Sequence, residues 1–191
     1  MDLYLYLKKH SFVDAWVHGG RVPFYVASTY RREDRLGVYT PDENLIDTST
    51  FNIKDFGGAV VFEGNTKNIS FQNCIVGGKV FNGTVNRHYE DGLVVCLSIR
   101  RSKFIARNLH KTACVKINDI GRLKHLIDEA TGVHGQQGLC QYTASHERGH
   151  FLKSTFDSWQ EEYRLFWPDV CNIEINIPPG LAELVFYLPE K

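Results

Sequence analysis

The stretch FLKSTFDSWQEEYRLFW, residues 151–167, sets polar and charged side chains among large aromatic ones. Read as a strand, it puts Gln160, Glu162 and Arg164 on one face, because alternate side chains of a strand share a face. Read as a helix, it has an apolar stripe of Phe156, Trp159, Tyr163, Phe166 and Trp167. Periodicity alone is compatible with both structures.

We predict a turn through 154–159 that leads into a strand over about 160–167, which Pro168 ends. The polar face of this strand would lie beside bulky aromatic residues and would be partly desolvated. A carboxylate in such a place needs a partner, since an unpaired buried charge is costly. Two hypotheses follow for Glu162: a structural ion pair with Arg164, or a carboxylate presented to a ligand.

The rest of the chain favours an α+β fold, with one domain over residues 1–191. Strands outnumber helices and do not alternate with them regularly, which argues against a doubly wound α/β fold. The clearest helix is NDIGRLKHLIDEATG (118–132), with a cap at Asn118 or Asp119 and a stop at Gly132. Further predictions are a short helix over 11–20 and an edge strand over 21–27 that contains Pro23. Four strands separated by Gly and Asn turns are predicted within 57–99, and single strands at 3–7, 113–117, 138–143, 163–167, 171–177 and 184–188.

The charge of the chain gives no support to nucleic-acid binding through bulk electrostatics. Lys+Arg and Asp+Glu each count 22, so the formal net charge is zero. The best local candidate for such binding is the basic cluster IRRSKFIAR at 99–107, whose alternative interpretation is a solvated strand end. Aromatic residues that would suit stacking with a single strand, if exposed, are Tyr30, Tyr39 and Trp167.

The five cysteines are widely spaced, odd in number and without a C-x-x-C motif. This pattern favours a reducing cytoplasm over a disulfide framework or a thiolate zinc site. The N-terminus MDLYLYLKKH lacks the features of a secretory signal, and no stretch approaches transmembrane length. We therefore expect a cytoplasmic protein without membrane partners.

The segment 151–167 resembles the closing signature W-x-x-E-aromatic-R of a broad bacterial family of uncharacterised domains. Trp159, Glu162, Tyr163 and Arg164 match it. The layout is similar to the ADP-ribosyltransferase fold, a split β structure that grips NAD. Many such enzymes carry a glutamate two residues after a Gln or Glu, and Gln160 and Glu162 have that spacing.

The resemblance implies that Glu162 and Gln160 are catalytic and that NAD is the substrate. It implies that the glutamate bonds the nicotinamide ribose and stabilises the oxocarbenium-like centre formed as nicotinamide leaves. That chemistry is glycosidic cleavage, in which a fixed carboxylate favours positive charge on a sugar ring.

The resemblance also implies further contacts with NAD. Tyr25 or Tyr30 would stack on nicotinamide, and His10 and Ser28 would contact its sugars. Arginines would grip the phosphates through bidentate forks. The candidates for that role are Arg31, Arg32 and Arg35.

Enzymes of this class are often bacterial toxins of toxin–antitoxin or phage-defence systems. The expected function is therefore mono-ADP-ribosyl transfer to single-stranded RNA, DNA or protein, with an antitoxin protein as a possible partner. A second hypothesis is a zinc metallopeptidase, because HERGH (146–150) matches H-E-x-x-H through His146, Glu147 and His150. A third is a non-catalytic binding module in which the polar face at 160–164 is structural.

Overall fold

In a computed structural model, the chain folds as an α+β protein with mostly antiparallel strands. The structure describes residues 1–31, 42–56 and 65–190. The strands within these ranges are β1 (Leu3–Leu7), β2 (Gly20–Val26), β3 (Leu45–Asp47), β4 (Thr66–Val76), β5 (Lys79–Tyr89), β6 (Gly92–Ser98), β7 (Ala113–Ile117), β8 (Gln136–Leu139), β9 (Gln141–Thr143), β10 (Leu152–Ser154), β11 (Glu162–Pro168), β12 (Ile173–Ile177) and β13 (Ala182–Tyr187). The helices are α1 (Val13–Val17), α2 (Lys103–Asn108) and α3 (Ile120–Thr131), with 3-10 helices at His10–Phe12, Ala27–Arg31, Ile53–Phe56 and Thr155–Gln160.

The main sheet is split, because β1 and β2 pair with opposite ends of the same strand, β6, and separate from each other beyond it. Strand β6 pairs along its whole length with β11 on one edge. On its other edge it pairs with β1 through Tyr4 and Ser98, and with β2 through Tyr25 and Val26. Strands β1 and β2 then continue with their own neighbours, β7 and β12. A cavity therefore opens between the two halves of the sheet.

One face of this sheet carries the larger apolar core. Leucine, valine and isoleucine side chains of the strands pack there with Trp16 of α1 and with Leu123 and Ile127 of α3. The N-terminus of α3 is capped by Asp119, which accepts a hydrogen bond from the Arg122 N–H, and the helix ends at Gly132 with φ +70°. These caps satisfy backbone groups that a helix end leaves open.

The other face of the sheet holds two small apolar clusters with a polar region between their strands. Helix α2 packs Ile105 and Ala106 against Tyr6, while Phe166 packs against Ala27 and its neighbours in the second cluster. Glu162, Arg164 and Phe166 share this face of β11 by strand alternation. The polar positions of β11 therefore lie on the same face as these clusters, and both are buried.

A second sheet, in the order β3-β5-β4, lies between β2 and β6 in the sequence. Strands β4 and β5 are joined at Gly77 and Gly78, with φ values of +56° and +77°. Glycine is suited to such consecutive left-handed positions in a tight hairpin. Phe56 and Phe81 stack at 4.4 Å between ring centroids beside this sheet.

Several sequence predictions agree with the structure and others need correction. The predicted helix at 118–132 and the α+β class are confirmed. The prediction that β2 lies at an edge is wrong, because β2 stands between β12 and β6. Pro23 is tolerated there because β2 has already diverged from β6 at that position. The parts of the predictions at 32–41 and 57–64 lie outside the described residues.

The longest helix among the described residues is α3, with 12 residues. None of the helices in these ranges combines the length and apolarity that crossing a membrane requires.

Candidate functional site

The polar face of β11 is the centre of a buried ionic network. The Glu162 side chain is only 3% exposed, and Arg164 only 1%. Arg164 donates from Nε to Glu162 Oε1 at 2.8 Å, and Lys153 of β10 donates from Nζ to Glu162 Oε2 at 2.8 Å. Both carboxylate oxygens of Glu162 therefore have cationic partners.

A second carboxylate, Glu43, completes the network from the turn before β3. Its Oε1 forms an ion pair with Arg164 Nη2. Arg164 also donates from Nη1 to the backbone carbonyl of His150 at 2.8 Å, which fixes the guanidinium plane. The network thus joins two cations with two carboxyl groups, drawn from three separate parts of the chain.

The two carboxyl groups differ in their titration. Burial opposes ionisation of Glu162, but Arg164 and Lys153 outweigh it and lower its pKa to about 2. Burial raises the pKa of Glu43, and the charge of Arg164 opposes that rise. Glu162 is therefore the fixed anion of the network, and Glu43 is the carboxyl group that binds a proton more readily.

Gln160 lies beside Glu162, although not as the sequence predicts. It ends the 3-10 helix Thr155–Gln160, and Glu161 follows with φ +44° before β11 begins. The prediction that Gln160 and Glu162 share one strand face is therefore wrong. The two side chains meet through Lys153, whose Nζ donates to Gln160 Oε1 at 3.2 Å. The turn before the strand and the shared face of Glu162 and Arg164 are as predicted.

The network forms part of the wall of a cavity of about 760 Å³ in the split of the main sheet. Glu162, Gln160, Lys153 and Glu43 line it at one side. Glu43 and Lys153 also line a smaller cavity of about 240 Å³. The ionic network therefore lies between two cavities.

Cys96, in the middle of β6, also faces the large cavity and is exposed. Its sulfur and the carboxylates of Glu43 and Glu162 have ligand atoms within 4.8 Å of one another. Arg164 and Lys153 already neutralise those carboxylates. Although Cys96 has surface open to the cavity, protein surrounds its thiol and desolvates it, and this desolvation together with the Glu162 charge raises the pKa of the thiol. The cluster is consequently a poor cation site, since a metal needs the thiolate and free oxygens.

Among the residues predicted to bind NAD, Tyr25 and Tyr30 line the large cavity. Tyr25 is 39% exposed, which leaves its ring open to a ligand. The backbone of Arg31 ends the 3-10 helix Ala27–Arg31, while Arg32 and Arg35 lie outside the described residues.

The structure does not bring His10 and Ser28 to the cavity lining. The His10 ring contacts the backbone carbonyl of Leu188 at 2.8 Å and lies 4.3 Å from the Tyr187 ring centroid. Ser28 is bound to Asp91, whose Oδ1 accepts from the Ser28 N–H at 2.9 Å. These contacts hold the C-terminal strand and the end of β2 in place.

The HERGH segment lacks the helix that a zinc site of this motif requires. His146 Nε2 contacts the Ser49 carbonyl at 2.9 Å, whereas His150 Nε2 contacts Glu90 at 3.3 Å. The His150 ring stacks on Phe166 at 3.6 Å between centroids. The two histidines therefore turn to different partners and do not converge on one point.

The structure also bears on the residues that the sequence offers for contacts with nucleic acid. Trp167 is fully buried and donates from Nε1 to Asp128 at 2.6 Å, so it cannot stack on a base. Tyr39 lies outside the described residues. In the basic cluster, Arg100 pairs with Glu161 at 2.8 Å, and Lys103 lies 5.9 Å from the Phe186 ring centroid.

The sequence did not identify three residues of the site: Lys153, Glu43 and Cys96. No motif assigns them to a ligand site, and each reaches the cavity through non-local folding. The one indication in the sequence is that a buried Glu162 needs cationic partners, which points to a cation besides Arg164 without identifying Lys153. Comparisons with models of protein families, with curated proteins and with solved structures found no match.

Proposed function

We propose that this chain is an NAD-dependent mono-ADP-ribosyltransferase with Glu162 as its principal catalytic residue. The observation that carries the proposal is an ionised carboxylate, with Gln160 beside it, on the wall of a cavity of about 760 Å³. Sites for small molecules and cofactors commonly enclose roughly 300–1,000 Å³. The parting of the sheet between β1 and β2 supports the resemblance to a split β structure.

The chemistry follows from the charge of Glu162. The bond between the anomeric carbon and nicotinamide breaks, and its electron pair leaves with nicotinamide. Positive charge then develops on the ribose ring, and an anion held nearby lowers the free energy of that state. A nucleophile of the acceptor forms the new bond to the anomeric carbon and loses its proton.

For this reaction, one oxygen of Glu162 has to be released from its cation. Lys153 is the partner that can move, because its flexible stem lines the cavity and it also contacts Gln160. Arg164 is held by three acceptor groups and keeps the carboxylate in position. We infer that a ribose hydroxyl takes the place of Lys153 at Glu162 Oε2, while Tyr25 or Tyr30 stacks on nicotinamide.

The test is release of nicotinamide from NAD by the wild-type protein and by Glu162→Gln. The variant should lose about 100-fold or more of the rate, as expected for removal of one charge-stabilising group. Glu43→Gln is the matched control, because it removes the other carboxylate of the same network. Thermal melts of both variants report whether each remains folded.

If Glu162→Gln is folded and retains full activity, the assignment of Glu162 is wrong. If both variants are folded and lose activity equally, the network as a whole is needed and Glu162 has no separate role. Mass spectrometry of RNA, DNA and protein after brief expression identifies the acceptor by the added ADP-ribose. The same expression tests toxicity, and co-expression with a neighbouring gene tests for an antitoxin.

A second candidate function is a non-catalytic binding module, favoured by the two cations on the Glu162 carboxylate. In that case the network is structural, and NAD gives no thermal shift. Glu162→Gln would then lower stability without removing any activity toward NAD.

A further inference from the structure

Helix α2 forms part of the wall of the large cavity and turns its opposite face to solvent. Ile105 and Ala106 are buried under the helix, and Ile105 lines the cavity. Lys103, Phe104 and Arg107 are exposed and share the outer face, because residues three and four apart in a helix are neighbours. The Phe104 side chain is 63% exposed. The outer face of α2 therefore combines cationic side chains with an open aromatic ring.

This outer face is attached to the segment that carries the proposed chemistry. The Phe104 ring meets the Trp159 ring edge to face, with 6.3 Å between the centroids, and Trp159 directly precedes Gln160. Arg100, before α2, pairs with Glu161 at 2.8 Å, directly before β11. A ligand on the outer face of α2 would therefore lie beside the residues that lead into β11.

The turn before α2 is held in place by hydrogen bonds. Tyr6 Oη accepts from the Ser102 N–H at 2.9 Å, and Ser102 Oγ caps the helix by accepting from the Ile105 N–H at 3.2 Å. Arg101 is exposed in this turn. Because the backbone is already fixed, a ligand that binds here has little of the protein to order.

The surface formed by this turn and helix carries positive charge. Arg101 and Arg107 form no ion pair with a described residue. Lys103 lies over an aromatic ring, a contact that leaves its charge in place. Glu161 is already neutralised by Arg100. The net charge of the chain is zero, so attraction of a polyanion is local to a surface of this kind. We call the following residues the α2 surface: Arg101, Lys103, Phe104, Arg107 and Trp159.

We propose that the α2 surface binds single-stranded nucleic acid. Arginine and lysine side chains attract phosphates, and an exposed aromatic ring stacks on a base of any sequence. A single strand fits better than a duplex, because its unpaired bases can turn their faces to a ring. The role of this strand as the acceptor of ADP-ribose rests on the proposed function and names its substrate class, whereas the binding itself does not depend on that function.

The experiment measures binding of short fluorescein-labelled strands of oligothymidylate and oligouridylate by fluorescence anisotropy at several salt concentrations. Phe104→Ala should weaken binding about fivefold or more, the loss expected when one base loses its stacking partner. Phe104→Tyr keeps the ring and should bind as the wild type does. Arg101→Ala should weaken binding and make the slope of log affinity against log salt concentration shallower by about 0.7, the contribution of one phosphate contact on a single strand.

Arg122→Ala is the matched control. Arg122 is also an exposed arginine on a helix, but α3 packs on the opposite face of the main sheet from α2. This variant should keep the affinity and the salt slope of the wild type. Circular dichroism shows whether each variant is folded.

Three results would overturn the proposal. If folded Phe104→Ala and Arg101→Ala bind the strands as the wild type does, the α2 surface is not the binding site. Equal affinity for a duplex of the same sequence would show that the surface attracts phosphates without stacking on bases. Equal competition by polyglutamate would favour an acidic protein as the partner instead.

Nicotinamide release from NAD, measured without added nucleic acid, separates this inference from the proposed function. If the wild type releases nicotinamide but binds no strand, the inference about the α2 surface falls and the enzymatic proposal stands. If the wild type binds strands through the α2 surface but leaves NAD intact, the enzymatic proposal falls and the binding surface stands.

Discussion

Arg164 joins the two buried carboxyl groups of the ionic network. Its replacement by methionine in Arg164→Met leaves Glu43 and Glu162 without their common cation in a place that water hardly reaches. Breaking a buried ion pair on one side typically costs about 3–5 kcal/mol. We expect a loss of that size in the free energy of unfolding, measured with urea at neutral pH.

Arg100→Met is the control for that prediction. Arg100 pairs with Glu161 at the same 2.8 Å, but the two side chains are 63% and 36% exposed. Exposed pairs contribute only about 0–1 kcal/mol, so this variant should remain close to the wild type. Equal losses in the free energy of unfolding of the two variants would contradict the view that burial makes the Arg164 contacts more stabilising than the exposed Arg100 pair.

At the residue scale, the sequence predicts part of the site for a physical reason. Alternation along a strand is local, so the shared face of Glu162 and Arg164 follows from their spacing. Lys153 and Glu43 could not be predicted, because their contacts depend on how β10 and the turn before β3 fold onto β11. The demand of a buried carboxylate for partners indicates that such residues exist but does not identify them.

Gly121, within α3, and Gly135, shortly after it, allow a test of the packing around this helix. A Cβ atom at Gly135 would lie 2.4 Å from the indole of Trp167, which is fully buried and cannot move aside. Overpacking of this kind usually costs about 1–3 kcal/mol. We expect Gly135→Ala to lower the free energy of unfolding by that amount, as measured by thermal and urea unfolding.

Gly121→Ala provides the comparison. A Cβ atom there would approach Asp119 Oδ1 at 3.4 Å, so that Asp119 would need to shift only slightly. Alanine favours a helix over glycine by about 0.5–1 kcal/mol, so this variant should equal or exceed the wild type in stability. A marked loss in Gly121→Ala would indicate that the cap at Asp119 tolerates no such shift.

How well each helix or strand can be predicted depends on how close together in the sequence its determining residues lie. Helix α3 was predicted closely because its cap, apolar face and terminating glycine are all adjacent in sequence. The sequence does not predict the separation of β1 from β2, because this separation depends on which ends of the two strands pair with β6. Nothing in the sequence of either strand marks that choice, apart from Pro23.

In the whole molecule, the net charge of zero includes a concentrated group of charges in the interior. The ionic network balances two cations, Lys153 and Arg164, against the carboxyl groups of Glu43 and Glu162. It therefore adds little to the electrostatic field outside the protein, and the composition predicts only weak attraction to polyanions. The field inside the cavity depends instead on where the individual charged side chains lie.

The whole fold should lose stability in acid through carboxylates that are ionised in the folded state. Burial opposes ionisation of Asp128, but hydrogen bonds from Lys124, Gly135 and Trp167 outweigh it and hold its pKa well below the ordinary 3.8. Glu162 behaves similarly, with a pKa of about 2 against an ordinary 4.5. The unfolded chain therefore binds protons more readily than the folded protein does.

We expect the stabilisation from these groups to be complete above the ordinary pKa values and to be lost as the pH falls toward the folded-state values. Each such carboxylate contributes a slope of up to about 1.4 kcal/mol per pH unit. Asp128→Asn removes one of these carboxylates while keeping the shape of the side chain. Urea unfolding from pH 7 to pH 3 should give a less stable variant at pH 7 and a gap from the wild type that narrows in acid. A gap that stays constant over this range would contradict the role of the Asp128 charge, because a purely steric loss does not depend on pH.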